Sequence, residues 1–358
     1  MLFIIYATGR CNLSCKYCGG SFRPNVVPWE VKYDVRLLAD LADSSDVIAF
    51  YGGEPLLNQK FIKKVVEVLG NRTYVLQTNG LLLGELPPEL LKVFDTILVS
   101  IDGVPSITDK YRGRGVYDKV VENVRMIHSM GYSGDIVARM TVNEDTDIYR
   151  DVSHLIVLGL FKHIHWQLNF VWTDKNAWRD PCSWVRNNYA PRLELLMNEW
   201  LRELKSGRII GIVPFQGVLK RLLRREDTAP PCGSGVDSFT ILPDGRIISC
   251  PIAVTEEWAL VGRLGETDRS ELKKYKVHID GPCINCSYYS ACGGRCLYTH
   301  IEKLWGEVGD KAICSASRSL IDLVESRSQE IMRIIKEQRV SMDKILYPQY
   351  NNTVEIIP

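Results

Sequence analysis

Short apolar runs recur along the first half of the chain, separated by amphipathic segments. Leu2–Thr8, Val47–Tyr51, Thr73–Gln77, Thr96–Ile101, Asp135–Val142 and His163–Phe170 are rich in β-branched and aromatic residues and carry no internal Pro or Gly. They read as strands. Between them the apolar periodicity predicts helices over Pro28–Leu41, Gln59–Leu69 and Val116–Met130. Near-continuous apolar strands alternating with helices imply an α/β fold whose parallel sheet is covered on both faces. Six such units fit a partial, open (β/α)6 barrel better than a closed eight-unit one. In such barrels chemistry gathers at the C-terminal ends of the strands.

After Trp172 the pattern breaks into a polar, Trp-containing stretch, TDKNAWRDPCSW, read as a linker or lid, and a helix follows over Pro191–Lys205. From about Pro230 short strands and turns take over. Ser238–Leu242 and Arg246–Cys250, joined by Pro243-Asp244-Gly245, predict a hairpin. Ser315–Lys336 predicts a charged amphipathic helix followed by irregular residues. The expected organisation is a barrel over 1–172, a bridging helical region over 173–229, a small cysteine-rich domain over 230–320 and a C-terminal helix and tail over 321–358.

Composition narrows the class. Lys and Arg number 44 against 43 Asp and Glu, so no net field favours nucleic acid or an anionic membrane. The apolar opening MLFIIY is too short for a signal peptide or a membrane span. These features predict a soluble, cytoplasmic protein. Its 11 cysteines then argue for metal ligation over disulfides.

Three of those cysteines, Cys11, Cys15 and Cys18, fall in the run CNLSCKYC directly after the first strand. Thiolates so closely spaced must converge on one object. Such a loop can hold a cubane iron–sulfur cluster at three corners and leave its fourth iron open. A zinc knuckle or a disulfide pair is the alternative, but a knuckle needs a fourth nearby Cys or His and none follows within reach. Gly52-Gly53-Glu54-Pro55 follows the second strand and offers close backbone approach to a ligand together with a carboxylate. Thr78-Asn79-Gly80 closes the third strand, Ser100-Ile101-Asp102-Gly103 the fourth, and Arg139 lies on the fifth.

Seven more cysteines follow: Cys232, Cys250, Cys283, Cys286, Cys292, Cys296 and Cys314. The run CINCSYYSACGGRC has the spacing Cys-x2-Cys-x5-Cys-x3-Cys, and 17 residues separate its last cysteine from Cys314. A zinc ribbon on Cys283, Cys286, Cys292 and Cys296 is conceivable, but it would leave Cys232, Cys250 and Cys314 unexplained.

The N-terminal triplet, with Tyr17 before its last cysteine, resembles the signature of radical S-adenosylmethionine (SAM) enzymes. The seven-cysteine order resembles the SPASM extension, a twitch-type auxiliary-cluster domain, found in family members that mature peptides and proteins. The pattern as a whole is most similar to archaeal SPASM proteins assigned to peptide modification. The resemblance implies that SAM chelates the open iron through its amino and carboxylate groups and is reductively cleaved to a 5′-deoxyadenosyl radical. Under it, Cys11, Cys15 and Cys18 hold the SAM cluster, and Tyr17 sets its backbone near the adenine. Gly52, Gly53, Glu54 and Pro55 would hold the amino group, Thr78, Asn79 and Ser100 would line the ribose and substrate side, and Arg139 would pair with the carboxylate. Asp102 is a candidate catalytic residue.

By the same resemblance Cys232, Cys250 and Cys296 hold one auxiliary cluster and Cys283, Cys286, Cys292 and Cys314 another, for three [4Fe-4S] clusters in all. Two full auxiliary cubanes need eight ligands. Where sulfatase-maturing relatives place the eighth, this chain has Ser238. Cys182, Asp237 or an open iron would fill the gap. Eleven protein-held positions in three clusters match the 11 cysteines, which favours Cys182.

The implied activity is oxidative modification of a peptide or protein side chain, such as crosslink or thioether formation. Reducing equivalents would come from a flavodoxin- or ferredoxin-type donor. Because the first barrel strand starts at Leu2, the peptide would be recognised directly or presented by a separate leader-binding partner. Sulfatase-maturing enzymes carry an acid beside a cluster cysteine of the hairpin. The neighbour here is Pro251, which weighs against formylglycine formation. The alternatives are a SPASM-type decarboxylase acting on a small molecule such as a tetrapyrrole, and a metal-stabilised binding scaffold. Among weaker features, His163 and His165 share one strand face, and Lys220, Arg221, Arg224 and Arg225 form a basic helix face expected to be solvated or to dock a partner. Tyr288 and Tyr289 lie between candidate ligands and are expected to pack there.

Overall fold

Side chains of the first strand, β1 (Leu2–Thr8), alternate between two buried surfaces. Phe3, Ile5 and Ala7 join the outer layer of helices, while Leu2, Ile4 and Tyr6 face a concave interior. The structure is a computed structural model and describes residues 1–169, 178–224, 230–275, 279–304, 306–338 and 340–347. The same alternation continues through β2 (Val47–Gly52), β3 (Thr73–Thr78), β4 (Thr96–Ser100), β5 (Asp135–Val142) and β6 (His163–Leu168). These strands pair in chain order, all parallel, as the partial barrel required. A short β7 (Gly211–Ile212) extends the β6 edge.

The other edge is extended by the C-terminal half. β8 (Ser238–Ile241) runs parallel to β1, turns back into β9 (Arg246–Ile248), and β9 pairs antiparallel with β10 (Leu260–Arg263). The predicted hairpin forms, and it is a continuation of the barrel's own sheet. Residues beyond it then fill the concave face. Ala253, Val254, Ala259, Ile279 and Leu297 pack with Leu2, Ile4, Val47, Val75 and Leu98. A fully buried side chain of this size contributes about 1.5–3 kcal/mol. The barrel therefore gains much of its inner packing from the cysteine-rich region.

Several elements differ from expectation. Of Pro28–Leu41 only Arg36–Leu41 is helical. The preceding segment is held by tertiary bonds instead, from the Thr8 hydroxyl to the Trp29 carbonyl and from the Lys32 amide to the Pro243 carbonyl. The tail helix begins at Gly306 and runs to Glu337, so Cys314 lies within it. It packs on the helices Ala190–Lys205 and Val213–Arg224, and Gly309, Ala312 and Ala316 are among its buried residues. A short helix, Met342–Ile345, follows where irregular chain was expected. Lys220 and Arg221 are buried, with Arg221 donating to the Ser290 carbonyl, while Arg224 stays exposed and pairs with Asp343. Arg225, residues 170–177 and the barrel boundary at 172 lie outside the described residues. Among those described, no helix is long and apolar enough to cross a membrane.

One buried carboxylate ties the two halves at the N-terminal end of the sheet. Asp46 accepts from the Met1 ammonium at 2.6 Å, the Asp43 amide at 2.8 Å and the Arg269 guanidinium at 2.9 Å. Burial works to raise its pKa, but Arg269 and the other donors outweigh it and hold the carboxyl below its ordinary value. Asp46→Ala should lower the stability to chemical denaturation by about 3 kcal/mol, because Arg269 loses its buried partner. In the wild type this contribution is complete above the ordinary aspartate value and is lost as pH falls through the lower folded one. A variant as stable as the wild type at neutral pH would show that the bridge contributes nothing.

Candidate active site

Interior positions change character along the strands. Near the N-terminal ends they are apolar, with Leu2, Val47, Val75, Leu98 and Val137. At the C-terminal ends the same face presents Tyr6, Tyr51, Gln77, Ser100, Arg139, Thr141 and Gln167, which line a cavity of about 520 Å³. That is the size of a small-molecule or cofactor site. Arg139 is buried there and donates to His165 Nδ1 at 3.0 Å and to the Gln167 side-chain oxygen. It is not a surface arginine. His165 thus points inward, while His163 pairs with Asp135 at 2.9 Å at the other end of the sheet.

The cysteine loop closes one side of this cavity, which Cys11, Cys15 and Cys18 all line. The amides of Cys18 and Gly19 both donate to the Cys15 carbonyl, at 3.1 and 2.9 Å. A hydrogen bond between the Cys15 and Cys18 thiols pulls Cys18 down to about 6 and keeps the proton on Cys15. Burial raises Cys11, opposed by the Leu13 amide that donates to its sulfur at 3.4 Å. Three sulfurs lining one cavity suit iron–sulfur ligation.

The loop is held from below by a cluster that includes residues the sequence did not single out. The Tyr17 hydroxyl donates to Asp102 Oδ2 at 2.9 Å, its ring stacks on Tyr111 at 6.0 Å, and the Arg112 guanidinium lies 5.4 Å over it. Arg112 also grips both oxygens of Asp102, at 2.8 and 2.7 Å, and the Thr141 amide adds a fourth donor at 2.8 Å. Asp102 is fully buried with both oxygens engaged. It therefore positions Arg112 and the loop. The Tyr17 side chain is part of that anchor. No periodicity marks Arg112; the motif at Asp102 was the available pointer to its partner.

The Gly-Gly-Glu-Pro segment also differs in detail. A Cβ on Gly52 would lie 2.3 Å from the Thr8 carbonyl oxygen, and one on Gly53 only 2.1 Å from that of Arg10. The glycines are needed because β1 and its loop pass against them, although both also line the cavity. Glu54 is fully buried and accepts from the Leu56 amide, the Thr78 hydroxyl and the Asn79 amide at 2.7–3.0 Å. Burial raises it to about 7 against those donors. Its carboxylate joins β2 to β3 and is not turned to a ligand. Pro55 opens the short turn that follows. Thr78, Asn79 and Ser100 line the cavity, and the Asn79 side-chain amide lies 3.9 Å from Cys11 Sγ.

The remaining cysteines divide into two groups. Cys232, Cys250 and Cys296 line the same cavity as the N-terminal triplet. Cys283, Cys286, Cys292 and Cys314 lie together elsewhere, within electrostatic reach of one another. This division separates Cys292 from Cys296 and so breaks the zinc-ribbon alternative. Cys182 donates to the Val308 carbonyl at 3.6 Å, and the wall beside Cys232 is supplied by Ser234, not by Cys182 or Asp237.

Removing Arg112 would leave Asp102 charged, buried and unpaired, so Arg112→Ala should cost about 3–5 kcal/mol in chemical unfolding. Tyr17→Phe loses one hydrogen bond and should cost about 1 kcal/mol. Equal effects, or the reverse order, would show that the ion pair does not anchor the loop.

Residues 5–152 match the Radical SAM superfamily. Over 88% of its length the chain is 26% identical to the cysteine-type anaerobic sulfatase-maturating enzyme of Clostridium novyi (strain NT), 92% of which is covered. The fold matches that of native anSMEcpe with bound AdoMet, with a TM-score of 0.73 at 18% identity, covering 92% of this chain and 100% of the other. A second structure, native anSMEcpe with bound AdoMet and Cp18Cys peptide, gives 0.68 at 19%, covering 92% and 99%. The barrel strands thus lie in a radical SAM domain, and the likeness to the sulfatase-maturating relatives runs on through the cysteine-rich half.

Proposed function

We propose that this enzyme oxidises a side chain of a peptide or protein, using three [4Fe-4S] clusters. One observation carries the reading: a single cavity is lined both by Cys11, Cys15 and Cys18 and by Cys232, Cys250 and Cys296. A side chain entering it would lie between a radical source and an electron acceptor, as a net oxidation needs. SAM bound at the first triplet supplies a carbon-centred radical that takes hydrogen from an unactivated C–H bond.

The chain's own residues would orient and enclose the reactants. Arg139, its guanidinium steadied by His165 and Gln167, would pair with the SAM carboxylate by charge-assisted bonds. Gly52 and Gly53 present backbone at the triplet, and Thr78, Asn79 and Ser100 offer polar groups on the ribose side. Tyr51, hydrogen-bonded to Gln77, lies within electrostatic reach of both Cys18 and Cys250 and so spans the space a substrate would occupy. Phe22, Ile252 and Leu297 supply apolar wall that helps exclude water.

The peptide-bound anSMEcpe structure supports a peptide substrate for this cavity. Crosslink or thioether formation is the outcome we favour over formylglycine. Beside Cys250 stands Pro251, whose carbonyl accepts from Tyr6 at 2.5 Å, and among the described residues no Asp or Glu lines the cavity. We assign Cys232, Cys250 and Cys296 as three ligands of one auxiliary cluster whose fourth position opens into the cavity. The other four thiolates would complete the second auxiliary cluster, and a flavodoxin- or ferredoxin-type protein would serve the electron chain.

The test is anaerobic reconstitution followed by iron and sulfide analysis and reductant-dependent conversion of SAM to 5′-deoxyadenosine. About twelve irons per chain are expected, with SAM cleavage, and Cys182→Ala should leave both unchanged. With a cysteine-containing peptide the product should lose two hydrogens and keep its sulfur. Zinc in place of iron would sink the reading. A sulfur-free aldehyde product would replace crosslinking with formylglycine formation.

A further inference from the structure

Charge is balanced over the whole chain, with 44 Lys and Arg against 43 Asp and Glu, but not around the cavity. From Met1 to Trp29 there is no Asp or Glu, while Arg10, Lys16 and Arg23 are all exposed. The same segment lines much of the cavity, and Lys16 is part of that lining. Among the described residues the charged side chains of the lining, cysteines aside, are Lys16, Arg112 and Arg139, all of them cations. Arg112 is matched by Asp102 at 2.7 Å, and Arg139 is assigned above to the SAM carboxylate. Lys16 has neither role. Its backbone is pinned by a bond from its amide to the Tyr111 carbonyl at 2.9 Å. The acids nearest to that contact are engaged elsewhere: Asp145 by Lys110 and the Tyr111 hydroxyl, Glu144 by Arg179, and Asp109 by the amides of Gly115 and Tyr117.

A second cation is held beside Phe22, which also lines the cavity. Trp29 donates its indole N–H to the Phe22 carbonyl at 2.8 Å, and the Arg10 guanidinium lies 5.3 Å over the Trp29 ring. Trp29 is fixed in this way yet 40% exposed, so it offers an apolar face to solvent beside a charge. Arg23 follows Phe22 directly, and Glu30, beyond Trp29, is the first acid of the chain. Cations buried against sulfurs would serve a cluster; cations in solvent around an opening serve something that arrives from outside. A local surplus of one sign draws in ligands of the other and selects among them.

We infer that the substrate is an acidic peptide segment, whose Asp and Glu side chains on either side of the modified residue are met by Lys16, Arg10 and Arg23. Trp29 and Phe22 cover apolar parts of the same segment. The inference rests on the peptide reading above and adds the charge of the substrate to it.

The test is fluorescence anisotropy on the reconstituted protein with SAM, using three labelled peptides of one length and a central cysteine. One is flanked by Asp and Glu, one by Asn and Gln, and one by Lys. The acidic peptide should bind roughly tenfold tighter than the amide peptide at low salt. Most of that lead should vanish at about 0.5 M salt. The double variant Arg10→Glu with Arg23→Glu should reverse the preference in favour of the Lys peptide. Arg23→Glu alone, outside the cysteine loop, should shift it in the same direction and serves if the double variant loses iron. Equal affinity for the acidic and amide peptides would overturn the inference. So would charge reversals that slow reduction by a flavodoxin-type donor and leave peptide affinity unchanged, since the cations would then belong to the donor. If none of the three peptides binds, the peptide reading itself falls.

Discussion

The site depends on one buried ion pair. Arg112 and Asp102 lie at the ends of different segments, with side chains 6% and 0% exposed, and neither charge could be buried without the other. Around them the chain has arranged enough donors that Asp102 is fully satisfied. Tyr17 is one of those donors, which fastens the cysteine loop to the end of β4. A loop carrying three sulfurs has little apolar surface of its own to hold it in place. Its geometry is borrowed from the ion pair and from the glycines at the end of β2, which let Thr8 and Arg10 pass at contact distance.

The open barrel solves a second problem. Six parallel strands leave a free edge at β1 and a partly uncovered concave face. β8 pairs with that edge, and the residues after the hairpin pack into the face. Covering an edge and filling an interior are ordinary demands of a sheet. Meeting them with a cysteine-rich segment brings Cys232, Cys250 and Cys296 into the cavity that Cys11, Cys15 and Cys18 already line. The second set of sulfurs reaches the active site because the fold needed that segment there for packing.

Much of this was legible in the chain. The strands announced themselves because both their faces are buried, so apolar residues run almost unbroken, and the cysteine spacings were read directly. Side-chain direction was less accessible. Glu54 sits in a motif whose carboxylate seemed aimed at a ligand, yet Thr78 and Asn79 claim it, and only the pairing of β2 with β3 brings those donors near. Asp102 looked chemical for the same reason, since its partner Arg112 carries no local signal. The segment Pro28–Val35 has helical periodicity but is held outside the helix by bonds to Thr8 and to the hairpin turn. The polar strand ends, Gln77, Thr141 and Gln167, were a missed signal. They break an apolar alternation on the interior face at the C-terminal ends of three strands, where a barrel does its chemistry.

The interleaving of the C-terminal cysteines has a backbone cause. Between Cys292 and Cys296 three consecutive residues, Gly293, Gly294 and Arg295, adopt left-handed conformations, with φ of 61°, 74° and 60°. Two are glycines, for which this is inexpensive; Arg295 is not, and its presence there is uncommon. The result is a sharp change of direction that sends Cys292 to the four-cysteine group and Cys296 to the cavity. A regular helix or strand could not separate two cysteines so close in sequence into different sites. Gly294 is also hemmed in, since a Cβ there would lie 2.6 Å from the Ile279 side chain. The turn therefore does for the auxiliary region what Gly52 and Gly53 do for the barrel: it lets backbone pass closely enough for distant sulfurs to meet. Arg295, strained at that position, sets its charge beside Cys292 and Cys314, so the residue that completes the turn also contributes to the electrostatics of the site it helps create.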